Sequence, residues 1–304
     1  MPKSKLKVII IVGPTASGKS SLAIKLAKRF KGEIISADSR QVYKGMDIGT
    51  GKVTKQEQRM IPHHLLDVAD PKKDFSVARY IQLAEKAILD IHSRGKLPII
   101  CGGTGFYIDA LLGTATLPEV PPNKKLRKHF NKFSAQHLFE MLRKLDPRRA
   151  HNIDRHNKRR LIRALEIIAQ TGKPIPEPKP ESKYDTLWVG INLSKEKLAK
   201  RIEKRLDDRL KHGMVTEVKK LHNQGVGWKR LENFGLEYRW IARYLKTLLK
   251  LSAKDGKTAY KEMHDLLLRD IIKYSKRQIT WWKRNKEIYW ITSDREVKNI
   301  IRLQ

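Results

Sequence analysis

Residues 6–27 read LKVIIIVGPTASGKSSLAIKLA. The five branched residues at 8–12 predict a buried strand, and residues 21–27 carry the apolar spacing of a helix. Between them GPTASGKS, residues 13–20, fits G-x-x-x-x-G-K-[ST] at every fixed position. Gly13 and Gly18 permit a compact loop whose backbone N–H groups, through Pro14, Thr15, Ala16 and Ser17, turn inward as an anion nest. A helix opening near Lys19 adds its positive end, Lys19 adds a point charge, and the Ser20 hydroxyl can reach magnesium. A chance glycine turn would need neither the flanking strand nor the flanking helix. The stretch therefore predicts a site for a diphosphate or triphosphate in an α/β fold, and leaves open which one.

Outward from the loop the alternation continues. Residues 33–37 (EIISA) form a short apolar strand followed by the polar turn Asp38, Ser39, Arg40, Gln41. Residues 75–93 carry a helical pattern, 97–101 a third buried strand, and Gly102-Gly103-Thr104-Gly105 turns into another helix. A fourth strand is expected at 186–191, with mostly helical sequence after it, over 196–222 and 257–286. Strand–loop–helix repetition predicts a P-loop NTPase-like parallel sheet flanked by helices. Between residues 117–122 (LPEVPP) and 172–180 (GKPIPEPKP) lies a stretch of different character, with helices expected at 123–144, 147–154 and 157–171. Proline clusters at both borders mark an inserted all-helical subdomain over 114–184, the core being 1–113 with 185–304. The Lys-rich stretch 246–258 is expected as a surface loop or helix end.

Charge narrows the partners. The 304 residues hold 65 Lys and Arg against 32 Asp and Glu, a net charge of +33. Such an excess repels itself unless an anionic partner offsets it, and nucleic acid is the strongest candidate. The charge runs through helical segments, and the insertion is dense in Arg and Lys, so a basic tail on an unrelated enzyme is disfavoured. No stretch approaches the roughly 20 apolar residues of a membrane span, and the opening apolar run is too short for a signal peptide. A single cysteine, Cys101, fits a reducing cytoplasm.

Several residues carry candidate chemistry. Asp38 falls at the carboxyl edge of the sheet, where it can bind magnesium, accept a proton or simply cap a turn. Thr104 stands in a second glycine loop at that edge and can donate to a phosphate oxygen or serve a tight turn. Arg201, Arg205 and Arg209 recur at i, i+4 and i+8, so they share a helix face that either clamps a diphosphate or lies in solvent. The adjacent His63 and His64 have no ligand partners at metal spacing and read as structural; Cys101 ends a buried strand and reads as packing. Residues 276–284 (KRQITWWKR) interleave cations with aromatics.

Taken together, these motifs resemble the tRNA dimethylallyltransferase (tRNA isopentenyltransferase) family. The matching stretches run in order: GPTASGKS (13–20), ISADSRQVYKGMDIGTGK (35–52), PHHLLDV (62–68), FSVARY (75–80), ICGGTGFYIDALL (100–112), NKRRLIRALEI (157–167), RIEKRLDDRL and GMVTEV (201–218), FGLEYR (234–239) and KRQITWW (276–282). The resemblance implies transfer of the dimethylallyl group of dimethylallyl diphosphate to the exocyclic amine of the adenosine 3′-adjacent to the anticodon (position 37), with release of diphosphate. It implies that the loop holds a prenyl diphosphate rather than ATP, with Mg2+ at Ser20, and that Asp38, Thr104 and Arg205 are catalytic. It implies contact with the anticodon stem-loop of tRNA through Asp38, Ser39, Arg40, Gln41, Thr104, Arg127, Arg159, Arg160, Leu161, Ile162 and Arg163, in a cytoplasmic monomer. Arg159 stands where the family usually has Gln, and Arg209 where it usually has Met; Ser20 replaces a common Thr and keeps the hydroxyl. The alternative is an adenylate isopentenyltransferase or a P-loop kinase, for which a free nucleotide would make the basic insertion superfluous.

Overall fold

Strict alternation along the first strand decides the layering. Val8, Ile10 and Val12 project into one apolar cluster and Ile9 and Ile11 into another, so the strand is covered on both faces. The computed structural model describes residues 5–115, 117–118, 120–177, 182–249, 253–292 and 296. In chain order the first elements are β1 (Lys7–Val12), α1 (Lys19–Arg29), β2 (Gly32–Ser36), α2 (Lys55–Met60), β3 (His63–His64), α3 (Val77–Ser93), β4 (Leu97–Cys101) and α4 (Gly105–Leu112). Then come α5 (Lys124–Phe130), α6 (Ala135–Leu145), α7 (Pro147–Asn152) and α8 (Lys158–Thr171). The chain closes with β5 (Asp185–Ile191), α9 (Lys195–Lys211), α10 (Met214–Asn223), α11 (Trp228–Phe234), α12 (Leu236–Leu248), α13 (Ala253–Trp282) and β6 (Tyr289–Ile291).

The six strands form one sheet in the order β3-β2-β4-β1-β5-β6, every pairing parallel. β1 lies between β4 and β5, with Ile9 opposite Ile99 on one side and Leu187 on the other. Parallel neighbours bring all strands to their carboxyl ends at one edge, where β1 ends in the glycine loop and β2 in the Asp38 turn. α1 covers one face through Leu22, Ala23 and Leu26; α3 and α4 cover the other through Tyr80, Ile88, Ile108 and Leu111. A third cluster joins α9, α10, α12 and α13 to Val42, Tyr43 and Met46, so the segment after β2 is anchored on the carboxy-terminal helices.

Two edge strands, β3 and β6, escape the sequence reading because they are too short to show periodicity. The helical sequence over 196–222 forms two helices, α9 and α10, parted at Gly213, whose φ is 93°. The helix expected at 257–286 spans Ala253–Trp282. The chain divides into two compact units, Met1–Leu112 with Ser182–Gln304, and Gly113–Glu181. The second unit has its own core of Phe130, Leu138, Leu142, Leu161, Leu165 and Ile168 around the wholly buried carboxylate of Glu166. Glu119 and residues 178–180 of the bordering proline clusters, and residues 250–252 of the Lys-rich stretch, lie outside the described residues.

Candidate active site

The glycine loop takes the nest shape its sequence predicts. Gly18 has φ 102° and caps α1 without a side-chain bond, so the first N–H groups of the helix remain directed at the loop's concavity. Lys19 Nζ bonds back to the carbonyl of Pro14 at 2.7 Å. Burial pulls its pKa down to about 8, with Arg205 adding to the fall against the opposing influence of Asp38. The Ser17 hydroxyl is buried and finds no hydrogen-bond partner among the described residues.

One cavity gathers Thr15, Lys19 and Ser20 of this loop, Asp38, Arg40 and Gln41 after β2, Thr50 and Gly51, Cys101 to Gly103 after β4, Arg205 and Arg209 of α9, Glu237 of α12, and Tyr274 and Gln278 of α13. Its titratable lining includes four cations (Lys19, Arg40, Arg205, Arg209) against two carboxylates (Asp38, Glu237). Glu237 is spoken for: its carboxylate accepts from Arg40 Nη1 at 2.7 Å and lies 3.5 Å from Arg209 Nη1. Asp38 is different. Both of its recorded bonds fall on Oδ1, which accepts from the backbone N–H of Arg40 at 2.8 Å and of Gln41 at 3.3 Å. The capping and chemical readings of Asp38 are thus compatible, since one oxygen shapes the turn and the other has no protein donor among the described residues.

The arginine row of α9 runs from solvent into the cavity: Arg201 is exposed, and Arg205 and Arg209 are half-buried in the cavity wall. Arg201 Nη1 donates to the carbonyl of Ser17 at 3.2 Å, Arg205 donates to the Thr15 hydroxyl, and Arg209 Nη1 donates to the carbonyl of Gly49 at 3.4 Å. Burial, then the charge of Arg209, depresses Arg205 to about 9, the mark of a cation short of anions. The turn reading of Thr104 has a concrete form, and it leaves the hydroxyl's own O–H to donate. Its Oγ1 accepts from the N–H of Ser39 at 3.0 Å, so it braces the Asp38 turn, while Gly102 and Gly103 beside it line the cavity. Cys101 is buried there with its thiol pushed up to about 11, mainly by desolvation, and is neutral packing.

Two braces were invisible in the sequence. Gln278 accepts from the N–H of Thr15 at 2.8 Å and donates to the carbonyl of Gly103 at 2.9 Å, stapling the two glycine loops together. Glu217 accepts from three successive backbone N–H groups, Asp47 at 2.8 Å, Ile48 at 2.6 Å and Gly49 at 3.0 Å, and from Tyr238 OH at 2.8 Å. That carboxylate folds the segment presenting Thr50 and Gly51, whose carbonyls accept from Gln41 Nε2 at 3.4 and 3.3 Å. His64 is structural, as its lack of metal partners suggests: Nε2 lies 2.7 Å from Glu33, a buried carboxylate also held by Arg94 and Lys96. Among the described residues no group of three or more His, Cys, Asp or Glu is placed to hold a metal, and no helix is long and apolar enough to cross a membrane.

A model of IPP transferases matches residues 41–285, and one of isopentenyl transferases matches residues 6–70. The chain belongs to the IPP transferase family. Its relatives include the tRNA dimethylallyltransferase of Acetivibrio thermocellus, 41% identical over 94% of this chain and 92% of that protein, and the one of Anoxybacillus flavithermus, 40% identical over 93% and 89%. Among solved structures, the tRNA isopentenylpyrophosphate transferase of Bacillus halodurans superposes with a TM-score of 0.70 at 37% identity, covering 98% of this chain and 94% of that one. A eukaryotic dimethylallyltransferase acting on tRNA superposes with a TM-score of 0.79 at 30% identity, covering 94% and 74%.

In this IPP transferase the insertion distributes its candidate residues unevenly. Arg127, exposed, and Arg163, half-buried, both pair with the buried carboxylate of Glu166, at 2.8 and 2.6 Å, and the N–H of Asn123 completes that site at 2.6 Å. Leu161 and Ile162 are core residues, buried because they fall on the apolar face of α8, so their side chains are withheld from any partner. Arg159 and Arg160 are exposed in the first turn of α8, which Asn157 caps by accepting from the N–H of Arg160.

Proposed function

We propose that this chain transfers a dimethylallyl group from dimethylallyl diphosphate to the exocyclic amine of the adenosine at position 37 of tRNA. The observation that carries the reading is one cavity joining a phosphate nest, two cations without a bonded carboxylate (Lys19 and Arg205), and one carboxylate, Asp38, outside any ion pair among the described residues. The amine's lone pair forms a bond to C1 of the prenyl group as the C1–O bond to diphosphate breaks. The bonding pair leaves with the diphosphate, whose growing charge Lys19, Arg205 and the helix end offset. Asp38 Oδ2 receives the amine proton, while its Oδ1 keeps the turn in place. Thr104 and Gln278 hold the two loops in register for this exchange and act by positioning.

Magnesium fits beside the nest, because the Ser20 hydroxyl is a hard oxygen donor lining the same cavity. When bound there it would offset part of the diphosphate charge. A cytoplasmic setting suits the lone buried cysteine. The insertion supports an RNA partner through its charge placement. Lys158, Arg159 and Arg160 crowd the first turn of α8, where the helix dipole disfavours cations, and an external polyanion would turn that arrangement to advantage. The target base sits in a stacked loop, so it must be extruded to reach a buried cavity.

The test incubates the protein with dimethylallyl diphosphate, magnesium and unmodified tRNA, and identifies nucleosides by mass spectrometry. Prenylated adenosine in tRNA is expected. Prenylation of AMP with none in tRNA would replace this reading with that of an adenylate isopentenyltransferase.

A further inference from the structure

We propose that Arg209, with Arg40 across Glu237, holds one phosphodiester group of the RNA backbone beside the target adenosine. This subsite rests on the RNA-prenylation reading above and adds a ligand to the same cavity.

Three observations lead to it. First, Arg209 is enclosed yet barely satisfied. Its side chain is 13% exposed, and among the described residues it makes two long bonds, 3.4 Å to the carbonyl of Gly49 and 3.5 Å to Glu237. A guanidinium carries five N–H donors, and it is Arg40 that donates the short 2.7 Å bond to Glu237. Second, the chain makes room for this cation. Gly51 has φ 62°, and a Cβ there would overlap Arg209 Nη2, so the guanidinium occupies space only a glycine leaves at the cavity wall. Third, the charges divide. Lys19 and Arg205 belong to the nest end of the cavity, where Lys19 bonds the loop and Arg205 the Thr15 hydroxyl. Arg40 and Arg209 share the single negative charge of Glu237, which leaves one positive charge, the complement of one phosphodiester monoanion. Arg209 follows Arg205 by one helical turn, about 6 Å along α9, toward the Gly49–Gly51 segment and away from the nest. A second phosphate group attached to the nucleotide that approaches Asp38 fits that displacement better than a longer polyphosphate in the nest, because Arg209 touches no residue of the nest in any recorded bond.

The experiment is a binding cycle. Anticodon stem-loop RNAs are made with the natural backbone and with a neutral methylphosphonate replacing, one at a time, each phosphate flanking the target adenosine. Affinity for wild type, Arg209→Met and Arg209→Lys is read by fluorescence anisotropy, and KM for dimethylallyl diphosphate is measured beside it. One of the two methylphosphonates is expected to weaken wild-type binding by about tenfold, the scale of one charge-assisted contact. Arg209→Met should weaken binding of natural RNA by a similar factor and lose most of the methylphosphonate penalty, with KM for the diphosphate changed less than about twofold. Arg209→Lys, which keeps the charge and guards against a folding defect in the Met variant, should retain part of the penalty. An equal methylphosphonate penalty in wild type and Arg209→Met would overturn the subsite, as would a raised KM for the diphosphate with RNA affinity intact. Wild type that bound but did not prenylate the natural stem-loop would strike the reaction reading instead, while the binding cycle still judged the subsite.

Discussion

Replacing Gln278 with Ala tests whether the two glycine loops depend on one side chain from the far end of the chain. The amide is 5% exposed and makes one bond to each loop. Its removal strands the N–H of Thr15 and the carbonyl of Gly103. A buried unpaired backbone group costs about 1–3 kcal/mol. Thr15 borders the cavity and can recruit water, so the sum falls near the low end, about 2–3 kcal/mol. About 1–1.5 kcal/mol of that reaches global stability, and at roughly 2–4 °C per kcal/mol a fall in melting temperature of about 2–6 °C is expected. The remainder appears as a loosened nest, raising KM for the diphosphate substrate by about tenfold, since 1.4 kcal/mol is one decade. Gln278→Glu is the sharper control. It keeps an acceptor for Thr15, sets a carboxylate oxygen against the carbonyl of Gly103, and adds a negative charge to the diphosphate cavity, so its KM should exceed that of the Ala variant. Steady-state kinetics with scanning calorimetry give both readouts. An Ala variant with wild-type melting and KM within twofold, or a Glu variant milder than Ala, would refute the staple.

Asp38→Asn keeps the Oδ1 acceptor of the turn and removes the proton acceptor, so kcat should fall by about 10²–10⁴ while RNA affinity stays within about threefold; near-normal kcat would move the base elsewhere. Lys19, held down to about 8 mainly by burial, is the charged form below that pH. As pH rises from 7 to 9, kcat/KM for the diphosphate should therefore fall with a bend near 8, and a flat profile would show that Lys19 is not the titrating grip. The neutral form is the one the fold favours, so this group should cost no stability on the alkaline side. Arg159→Ala with Arg160→Ala should weaken tRNA binding and reduce the salt slope by about 2 if each meets one phosphate; an unchanged slope would remove this turn from the interface.

What the sequence discloses and what it hides divide along sequence separation. The nest, its strand and its helix are local, twenty-odd consecutive residues whose spacing states their geometry, and Asp38 is legible because it closely follows a strand whose carboxyl edge must meet the nest. The helical insertion is legible from its proline borders and its own amphipathic periods. Gln278 reaches Thr15 across 263 positions, and Glu217 reaches Gly49 across 168, so nothing local marks either. The same holds for Arg127 and Arg163: as cations in a basic segment they suggest a polyanion, and only the packing of α5 against α8 reveals Glu166 between them. The arginine row was ambiguous for a related reason. Period alone places three guanidinium groups on one face of α9, but which face meets the loop is decided by Leu198, Ile202 and Leu206, which turn toward the other carboxy-terminal helices.

The Gln278 staple also sets a timetable. A ribosome adding about 5–20 residues per second delivers the nest early and then needs roughly 13–50 s more to deliver the amide that fixes it to its partner loop, the two being 263 residues apart. For the earlier part of that interval β1 also lacks β5, its partner from beyond the insertion. A nascent or truncated chain would thus display the phosphate-binding signature intact and yet grip little with it. Synthesis itself would delay competence until position 278 has been added, and a stop codon between the nest and that position would release a chain that keeps its most recognisable motif and lacks the residue that sets it.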